Sequence, residues 1–400
     1  MPDGHYMACG RCGTMLSKSC PNSIDRVAAL SFAGLMLYPL AIGMPLMTLS
    51  SLGMKEQSSV LETAAGFYDS GYYIVSIITF LTAVIAPFLK LFIPFITSLC
   101  IKFGKRPPGL ISAFKIHKHL EEWGMVEVFL LGILITLIKM GHVAQVHFNL
   151  GFFSFIGLVL LSISVSVCLD RMLFWSCLDR SEPAEDPPMP PDRDQTAHAL
   201  GLMRCHDCGK LVDAAQDREP TVCPRCNSVA HFRTRASISK TWALVMTSLF
   251  LFIPANMLPI MQVNFLGMPE RSTILDGIIY FLKHDSIAIG LIILTASILV
   301  PLFKIIGLMI MLVSIRSGKN RYLKQKSRMY RMIEFIGRWS MLDIFVVALL
   351  SALVDFGFLT SIQTEPGATF FCIVVVATMW AAIVFDPRIL WDRCDPLDKI

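Results

Sequence analysis

The sequence predicts an all-α polytopic membrane protein, built as two parallel four-helix transmembrane repeats that each follow a small zinc ribbon, the first of them degenerate. Three observations support this fold class. Apolar residues make up 54% of the 400-residue chain and charged residues only 16%, whereas a soluble protein carries about 25% charge. The apolar residues gather into runs long enough to span a bilayer. Short cysteine clusters lie outside these runs, which is typical of metal binding in a reducing compartment.

Composition divides the chain into five segments. They are a degenerate N-terminal ribbon, a first four-span domain, a linker rich in proline and acidic residues, a second ribbon and a second four-span domain, at residues 1–26, 27–178, 179–203, 204–236 and 237–400. Basic residues concentrate in the loop between the second and third apolar runs of each half. The positive-inside rule therefore places these loops, both termini and both ribbons in the cytoplasm.

The N-terminal segment contains an incomplete set of metal ligands. Cys9 and Cys12 form a C-x-x-C pair, but Cys20 is followed by Ser23, where a fourth thiolate is expected. His5 could supply the missing ligand; alternatively, the ribbon is vestigial and binds no metal. The segment lacks the pattern of a cleaved signal peptide, so we expect it to remain on the protein.

The first half contains four apolar runs, each near or above the ~20 residues that cross a bilayer. They cover residues 27–49, 72–101, 123–141 and 151–172. Glu62 lies in the loop after the first run and follows two serines, which predicts a capping role at a helix N-terminus. Asp276 has the same position in the second half.

The second ribbon carries a complete metal-ligand pattern. Its two C-x-x-C pairs are Cys205 with Cys208 and Cys223 with Cys226. Four thiolates at this separation can close a tetrahedral zinc site. A pair of disulfides is the alternative, disfavoured by the cytoplasmic placement. Catalytic zinc is less favoured still, because four thiolates leave no open position for water.

The second half repeats the pattern of the first. Its apolar runs cover residues 241–265, 286–315, 338–359 and 368–390. The stretch Pro301–Lys304 matches Pro87–Lys90, and Trp339–Phe345 matches Trp123–Phe129. Four spans return the chain to its starting side, so the sequence predicts parallel rather than inverted repeats.

Each half places a lysine and an acid inside apolar runs. Lys304 and Asp343 are expected at similar depths, where they could pair, and Lys90 and Glu127 are their counterparts. An ionisable group within a membrane span costs several kcal/mol and often marks a transport or proton pathway. The alternatives are a structural ion pair or a lysine whose amino group reaches the interface.

Two hydroxyl residues extend the candidate site in the second half. Ser297 lies seven residues before Lys304, which is two turns along one face of a regular α-helix. Thr378 lies midway along the last run, and Ser162 is its counterpart in the first half. Alternatively, hydroxyls in spans bond only to their own helix.

Together, the paired ribbons, the duplicated unit, the P-x-x-K runs and the two W-[GS]-M-[LV]-[DE]-[IV]-F motifs resemble the paraquat-inducible protein A family over nearly the whole chain. The resemblance implies an inner-membrane protein of Gram-negative bacteria. It further implies an MCE-domain partner that forms a periplasm-spanning tunnel, and a role in moving phospholipid between the two membranes. Ser23 departs from the expected pattern of the first ribbon.

These features favour a transporter-like subunit over an enzyme, because no nucleophile elbow, phosphate loop or nucleotide-binding motif is present. We expect a cavity lined by Ser297, Lys304, Asp343 and Thr378 to meet a lipid headgroup or to relay a proton. Two alternatives remain: an efflux protein for small cationic compounds, and a cytoplasmic zinc-ribbon module for assembly or sensing on an inert membrane anchor. A membrane thiol oxidoreductase would need a C-x-x-C pair in a span or on the periplasmic side, and the sequence has none there.

Overall fold

A computed structural model describes most of the chain. The described residues are 6–9, 15–51, 54–69, 71–105, 107, 109–140, 145–179, 201–213, 221–265, 268–283, 287–317, 322–353 and 360–392. His5, Cys12 and all but the ends of the 179–203 linker lie outside them, as do the side chains of a few residues within helices and strands, including that of Asp343.

The first half is mainly helical. Its helices are α1 (Ser23–Gly43), α2 (Val60–Asp69), α3 (Tyr73–Phe80), α4 (Ala86–Lys102), α5 (Leu110–Trp123), α6 (Val126–Met140), α7 (Leu150–Cys168) and α8 (Arg171–Leu178). Its strands are β1 (Tyr6–Ala8), β2 (Met15–Lys18), β3 (Met47–Ser51), β4 (Met54–Ser58) and β5 (Gln145–Phe148). Helix α1 packs against α7 and α4.

Two short hairpins connect the halves, made of strands β6 (Leu202–Arg204), β7 (Leu211–Asp213), β8 (Thr221–Val222) and β9 (Val229–Ala230). The helices of the second half are α9 (Ser237–Met257), α10 (Ile274–Lys283), α11 (Ile287–Leu294), α12 (Val300–Ser317), α13 (Leu323–Gly337), α14 (Leu342–Leu353), α15 (Pro366–Val384) and α16 (Ile389–Asp392). Its strands are β10 (Met261–Phe265), β11 (Met268–Ser272) and β12 (Thr360–Thr364). Helix α9 packs against α15 and α12.

Six helices in the described part of the chain are long and apolar enough to cross a membrane. They are Ser23–Gly43, Tyr73–Lys102, Leu150–Cys168, Ser237–Met257, Gly290–Ser317 and Pro366–Val384. The third apolar run of each half forms a shorter helix, of 15 residues in α6 and 12 in α14. Within the described residues, six of the eight predicted spans therefore reach membrane length. Helices α6 and α14 each end beside residues outside the described part of the chain, so their crossing of the membrane stays a prediction.

The described chain is mostly helical, as predicted, but the all-α expectation holds only in part, because each half also contains a three-stranded antiparallel sheet. The strand orders are β4-β3-β5 and β11-β10-β12. The apolar runs at 27–49 and 241–265 are not helical throughout. Instead the helices end at Gly43 and Met257, just before Pro45 and Pro259. Proline disfavours a helical conformation in the residue before it, and the chain continues as the central strand of each sheet.

The predicted helix caps are confirmed. The Glu62 carboxylate accepts a hydrogen bond from the Ser59 backbone N–H at 2.6 Å, while the Ser59 hydroxyl accepts from the Glu62 backbone N–H at 3.2 Å. Asp276 and Thr273 form the same reciprocal pair, at 3.0 and 3.2 Å. Each pair satisfies two backbone donors at the start of a helix.

Ser23 has a structural role at the start of α1. Its buried hydroxyl donates to the carbonyl of Cys168 at 2.6 Å and accepts from the Asp170 backbone N–H at 2.9 Å. Ser237 makes the same two bonds in the second half, to Val384 and from Asp386. Ser23 occupies the position where the ribbon pattern expects a fourth thiolate, and its bonds join the first helix of the half to the end of its last span.

A π-helical segment interrupts the second span of each half, at Leu81–Ile85 and Thr295–Leu299. In each, the backbone N–H that follows the segment bonds five residues back. Pro87 and Pro301 lie one residue further on, and proline has no N–H to donate to the carbonyl four residues earlier. That carbonyl belongs to Ser297 in the second half. π-Helical turns occur frequently at functional sites.

Candidate metal centre and intramembrane polar site

The four cysteines of the second ribbon come together in one buried cluster. Their sulfur atoms all lie within 4.8 Å of one another. The Sγ atoms of Cys205 and Cys226 are 3.5 Å apart, as are those of Cys208 and Cys223. A disulfide has an S–S length of about 2.05 Å, so the disulfide alternative is wrong here. Four Zn–S bonds of about 2.3 Å in a tetrahedron give sulfur separations of about 3.8 Å, and the cluster fits this geometry.

Each cysteine pair lies on a tight turn whose shape depends on the residue after the second cysteine. Gly209 and Asn227 adopt positive φ angles of 74° and 54°, which glycine and asparagine tolerate best. Their backbone N–H groups bond back to the carbonyls of Cys205 and Cys223, at 3.1 and 2.9 Å. The turns thereby direct both thiols of each pair towards the other hairpin.

Hydrogen bonding within the cluster favours a thiolate. The Cys208 thiol donates to the Cys205 sulfur, and this bond lowers the pKa of Cys205 to about 4. The same shared proton raises the pKa of Cys208. A cation that binds all four sulfurs would replace such protons, since the thiolate is the ligand form.

The cysteine module is attached to both halves. Asp179 follows α8, and its Oδ2 lies 2.7 Å from Arg225 Nε and 3.4 Å from Lys210 Nζ. Lys118 of α5 donates to the carbonyl of His206. On the other side, the Thr234 backbone N–H donates to Asp386 at 3.2 Å. The sequence predicted that Asp179 belongs to the linker, but its side chain pairs with Arg225 and Lys210 of the cysteine module.

The N-terminal cysteines are not assembled into a second cluster within the described residues. Cys9 and Cys20 are partly buried free thiols, and Cys12 lies outside the described part of the chain. The pairing of β1 with β2 gives this segment a hairpin. Metal binding there stays a prediction.

Lys90 and Glu127 form the ion pair predicted for the first half. The Nζ and Oε1 atoms are 3.4 Å apart, and the lysine side chain is 5% exposed against 29% for the glutamate. Gly124 allows this approach, since a Cβ atom there would lie 3.3 Å from Lys90 Cδ. The pairing of these two residues is confirmed.

Lys304, the counterpart of Lys90, is fully buried, and its Nζ has no hydrogen-bond partner among the described residues. The predicted pairing of Lys304 with Asp343 stays a prediction, because the Asp343 side chain lies outside the described part of the structure. Ser340 replaces Gly124 in the second half; its buried Oγ also lacks a described partner. Ser340 was not among the predicted site residues, although the Trp339–Phe345 motif contains it.

The two predicted hydroxyl residues differ in their contacts. Thr378 Oγ1 donates to the Val375 carbonyl of its own helix at 2.9 Å, and its part in a transport path stays a prediction. Ser297 is buried in the π-helical segment, and its Oγ has no partner within the described part of the chain. It borders a cavity of about 50 Å³, whose wall includes Ile135, Ile293 and Leu342. The sequence prediction assumed two regular α-helical turns between Ser297 and Lys304, but part of the wider π-helical segment lies between them.

A second polar cluster, missed from the sequence, lies where α5 meets α8. His117 is buried and stacks on Phe114, with ring centroids 5.9 Å apart. Glu121, one turn on, pairs with Arg171. Burial lowers the pKa of His117 to about 3, assisted by the charges of Arg171 and Lys90. The imidazole is therefore neutral at physiological pH.

The fold and these sites define a multi-pass membrane protein with a four-cysteine module docked onto two helical halves. The chain belongs to the Paraquat-inducible protein A family, whose model matches residues 24–179 and 238–395.

The relatives include two proteins of Escherichia coli K12. The chain is 31% identical to the intermembrane transport protein PqiA and 30% identical to the lipophilic envelope-spanning tunnel protein A. These alignments cover 98% of this chain and 91% and 92% of the relatives. A probable intermembrane transport protein of Haemophilus influenzae is 27% identical over 97% of this chain and 91% of its own length. No solved structure gives a significant match.

Proposed function

We propose that this protein is an inner-membrane transporter-like subunit. It would move phospholipid between the inner membrane and a periplasmic MCE-domain tunnel protein and thereby support the integrity of the outer membrane. The names of the relatives support a transport role in the cell envelope. The observation that carries the proposal is Lys304, a lysine without exposed surface inside a membrane-length helix.

The transport site is proposed to lie in the second half. Lys304 would bind a phosphate headgroup or exchange a proton with Asp343, and Ser297 would contribute its hydroxyl. Helix α14, which carries Asp343, contacts the π-helical segment that carries Ser297. Burying a charge without a partner is costly, so we expect Lys304 to meet an acidic or phosphate group during the transport cycle. Thr378 lies on α15 and would complete the path once its hydroxyl breaks its hydrogen bond to the Val375 carbonyl.

The membrane arrangement is proposed as two parallel repeats with both termini and both ribbons in the cytoplasm. Family matches on both halves support duplication. So do the matching positions of the π-helical segments and the three-stranded sheets in each half. The second ribbon would bind zinc and act as a structural joint, because its four thiolates leave no coordination position for water.

The test is phospholipid transfer between inner-membrane vesicles and the periplasmic partner, measured for Lys304→Ala and Asp343→Ala. Transfer should fall at least tenfold if either group stabilises the transported state by about 1.4 kcal/mol. Thr247→Ala is the control, since Thr247 is an exposed residue of α9 whose hydroxyl donates to the Ala243 carbonyl of its own helix. Unimpaired transfer by variants that fold and assemble would remove these residues from the mechanism.

A second experiment separates transport from the anchored zinc-module alternative. Photocrosslinking probes at Ser297 and Thr378 should yield phospholipid adducts if lipid passes through the second half. Correctly folded protein without adducts would favour the zinc-ribbon module.

A further inference from the structure

A groove of about 510 Å³ runs along the outer side of α12 and ends at the start of α13. Six of the residues that line it are Ile306, Ile310, Val313, Ser314, Ser317 and Lys326. We call it the α12–α13 groove. It is separate from the buried Lys304, which is on the same helix but does not line it. Its volume is within the range typical of small-molecule sites.

The wall of the groove is apolar and faces outwards. Ile306, Ile310 and Val313 are each about half exposed, at 46%, 49% and 50%. Their spacing places them on one face of the helix, over about 10 Å of its length. Because α12 belongs to a membrane-length helix, this face is exposed to lipid acyl chains.

The cytoplasmic end of the groove is polar. Lys326 of α13 reaches back to α12, and its Nζ donates to Ser314 Oγ at 2.5 Å. Ser317 lies one turn further along α12, where its exposed hydroxyl makes a long 3.4 Å bond to the Ser314 carbonyl that a phosphate oxygen could replace. The ammonium group is the strong donor to phosphate oxygens, because it is charged, and the two hydroxyls can add neutral donors. They lie next to the basic loop that the positive-inside rule assigns to the cytoplasm.

The matching surface of the first half lacks this chemistry. Counting back by the 214 positions that separate Lys304 from Lys90, Ser314 corresponds to Cys100 and Ser317 to Phe103. Ile306 corresponds to Phe92, whose ring stacks on Phe88 at 5.4 Å. Contact with bulk lipid is common to both surfaces, so it does not account for the hydroxyls and the lysine of the second half.

We propose that the α12–α13 groove is a phospholipid-binding site in the cytoplasmic leaflet. One acyl chain lies along Ile306, Ile310 and Val313, and the phosphate is held by Lys326 with the hydroxyls of Ser314 and Ser317. This site does not depend on the proposed transport role, because a phospholipid bound in the groove could equally serve a structural or a regulatory purpose.

The experiment uses the full chain in proteoliposomes of phosphatidylethanolamine and phosphatidylglycerol that carry an alkyne tag on one acyl chain. A benzophenone amino acid replaces Ile306 in one protein and Phe92 in another. Phe92 is the matched control, since it is 40% exposed at the corresponding position of the first half. The Ile306 probe should give several times more phospholipid adduct. Equal labelling at both positions would mean bulk lipid only and would overturn the proposal.

Charge variants test the headgroup contact. With the probe at Ile306, Lys326→Gln should lower labelling by about tenfold, as expected for a charge-assisted hydrogen bond, and Lys326→Arg should restore most of it. Lys324→Gln is the control, since Lys324 is exposed on the same helix but does not line the groove. Unchanged labelling in Lys326→Gln, or an equal loss in Lys324→Gln, would contradict a specific site. If Lys326→Gln does not fold, the comparison of Ile306 with Phe92 still decides the outcome.

Discussion

The rings of Phe129 and Phe345 meet edge to face between the two halves of the chain, with their centroids 5.2 Å apart. The two residues occupy the same position in the two W-[GS]-M motifs, 216 residues apart. Contact between equivalent positions is what an approximate two-fold axis produces. The pair therefore supports a two-fold relation between the halves, with helices α6 and α14 in contact at its centre.

This interface should be sensitive to volume. Phe345 is fully buried, so Phe345→Ala should lower the free energy of unfolding by about 3–5 kcal/mol. Gly132→Leu should also destabilise, by about 1–3 kcal/mol, since a Cβ at Gly132 would already lie 3.3 Å from Phe345 Cβ. Thermal unfolding of purified protein measures both. Leu134→Ala, at a 43% exposed position of α6, is the control, and an equal effect there would contradict a specific interface.

The cysteine module should hold one metal ion per chain. Elemental analysis of purified protein should find one equivalent of zinc fewer in Cys223→Ser than in the wild type, because a tetrahedral site loses a quarter of its ligands. A chelator should lower the unfolding temperature of the wild-type protein. Cys100→Ser is the control, since Cys100 is a free thiol of α4 outside the cluster. Full zinc content in Cys223→Ser would exclude this site.

Docking of the module depends on Asp179. Its side chain is 16% exposed and pairs with Arg225 and Lys210. Asp179→Asn should leave two basic groups poorly compensated and cost about 1–3 kcal/mol. Hydrogen exchange should then accelerate in β6–β9 while zinc content stays normal. Exchange that is unchanged in these strands would show that Asp179 does not hold the module. Asp25→Asn, which removes an exposed pair with Lys102, should have little effect.

Stability should decrease with acidity through His117. Its pKa in the folded protein is about 3, below the ordinary value of about 6.5, so the unfolded chain binds the proton more readily. This contribution to stability is complete above pH about 6.5 and is lost as the pH falls towards 3. The slope approaches about 1.4 kcal/mol per pH unit.

Unfolding measured from pH 7 to pH 4 tests this coupling. His117→Phe should flatten the profile in that range, because the stacking partner of Phe114 is retained without a titratable group. His147→Gln, at an exposed residue of β5, should keep the wild-type slope. A His117→Phe profile parallel to the wild type would contradict the assignment.

Much of the candidate chemistry was predictable from the sequence. Cysteine spacing identified all four members of the cluster, since a metal site requires fixed ligand separations within each turn. The repeated lysine and acid identified the Lys90–Glu127 pair, because charges inside long apolar runs stand out. The helix caps followed from local hydrogen-bonding rules over four residues. All these signals act over short distances along the chain.

The tertiary structure decided the rest. The pairing of β3 with β5 and of β10 with β12, the contact of Phe129 with Phe345, and the docking of Asp179 on Arg225 join residues that are dozens to hundreds of positions apart. No period in the sequence encodes such pairs. Ser297 is buried within a π-helical segment, and the regular helical spacing assumed from the sequence could not predict that position. By itself the sequence determined which segments are apolar and which residues carry charge or sulfur. Packing decided which of those residues meet, because burial and close contact depend on how the two halves fit together.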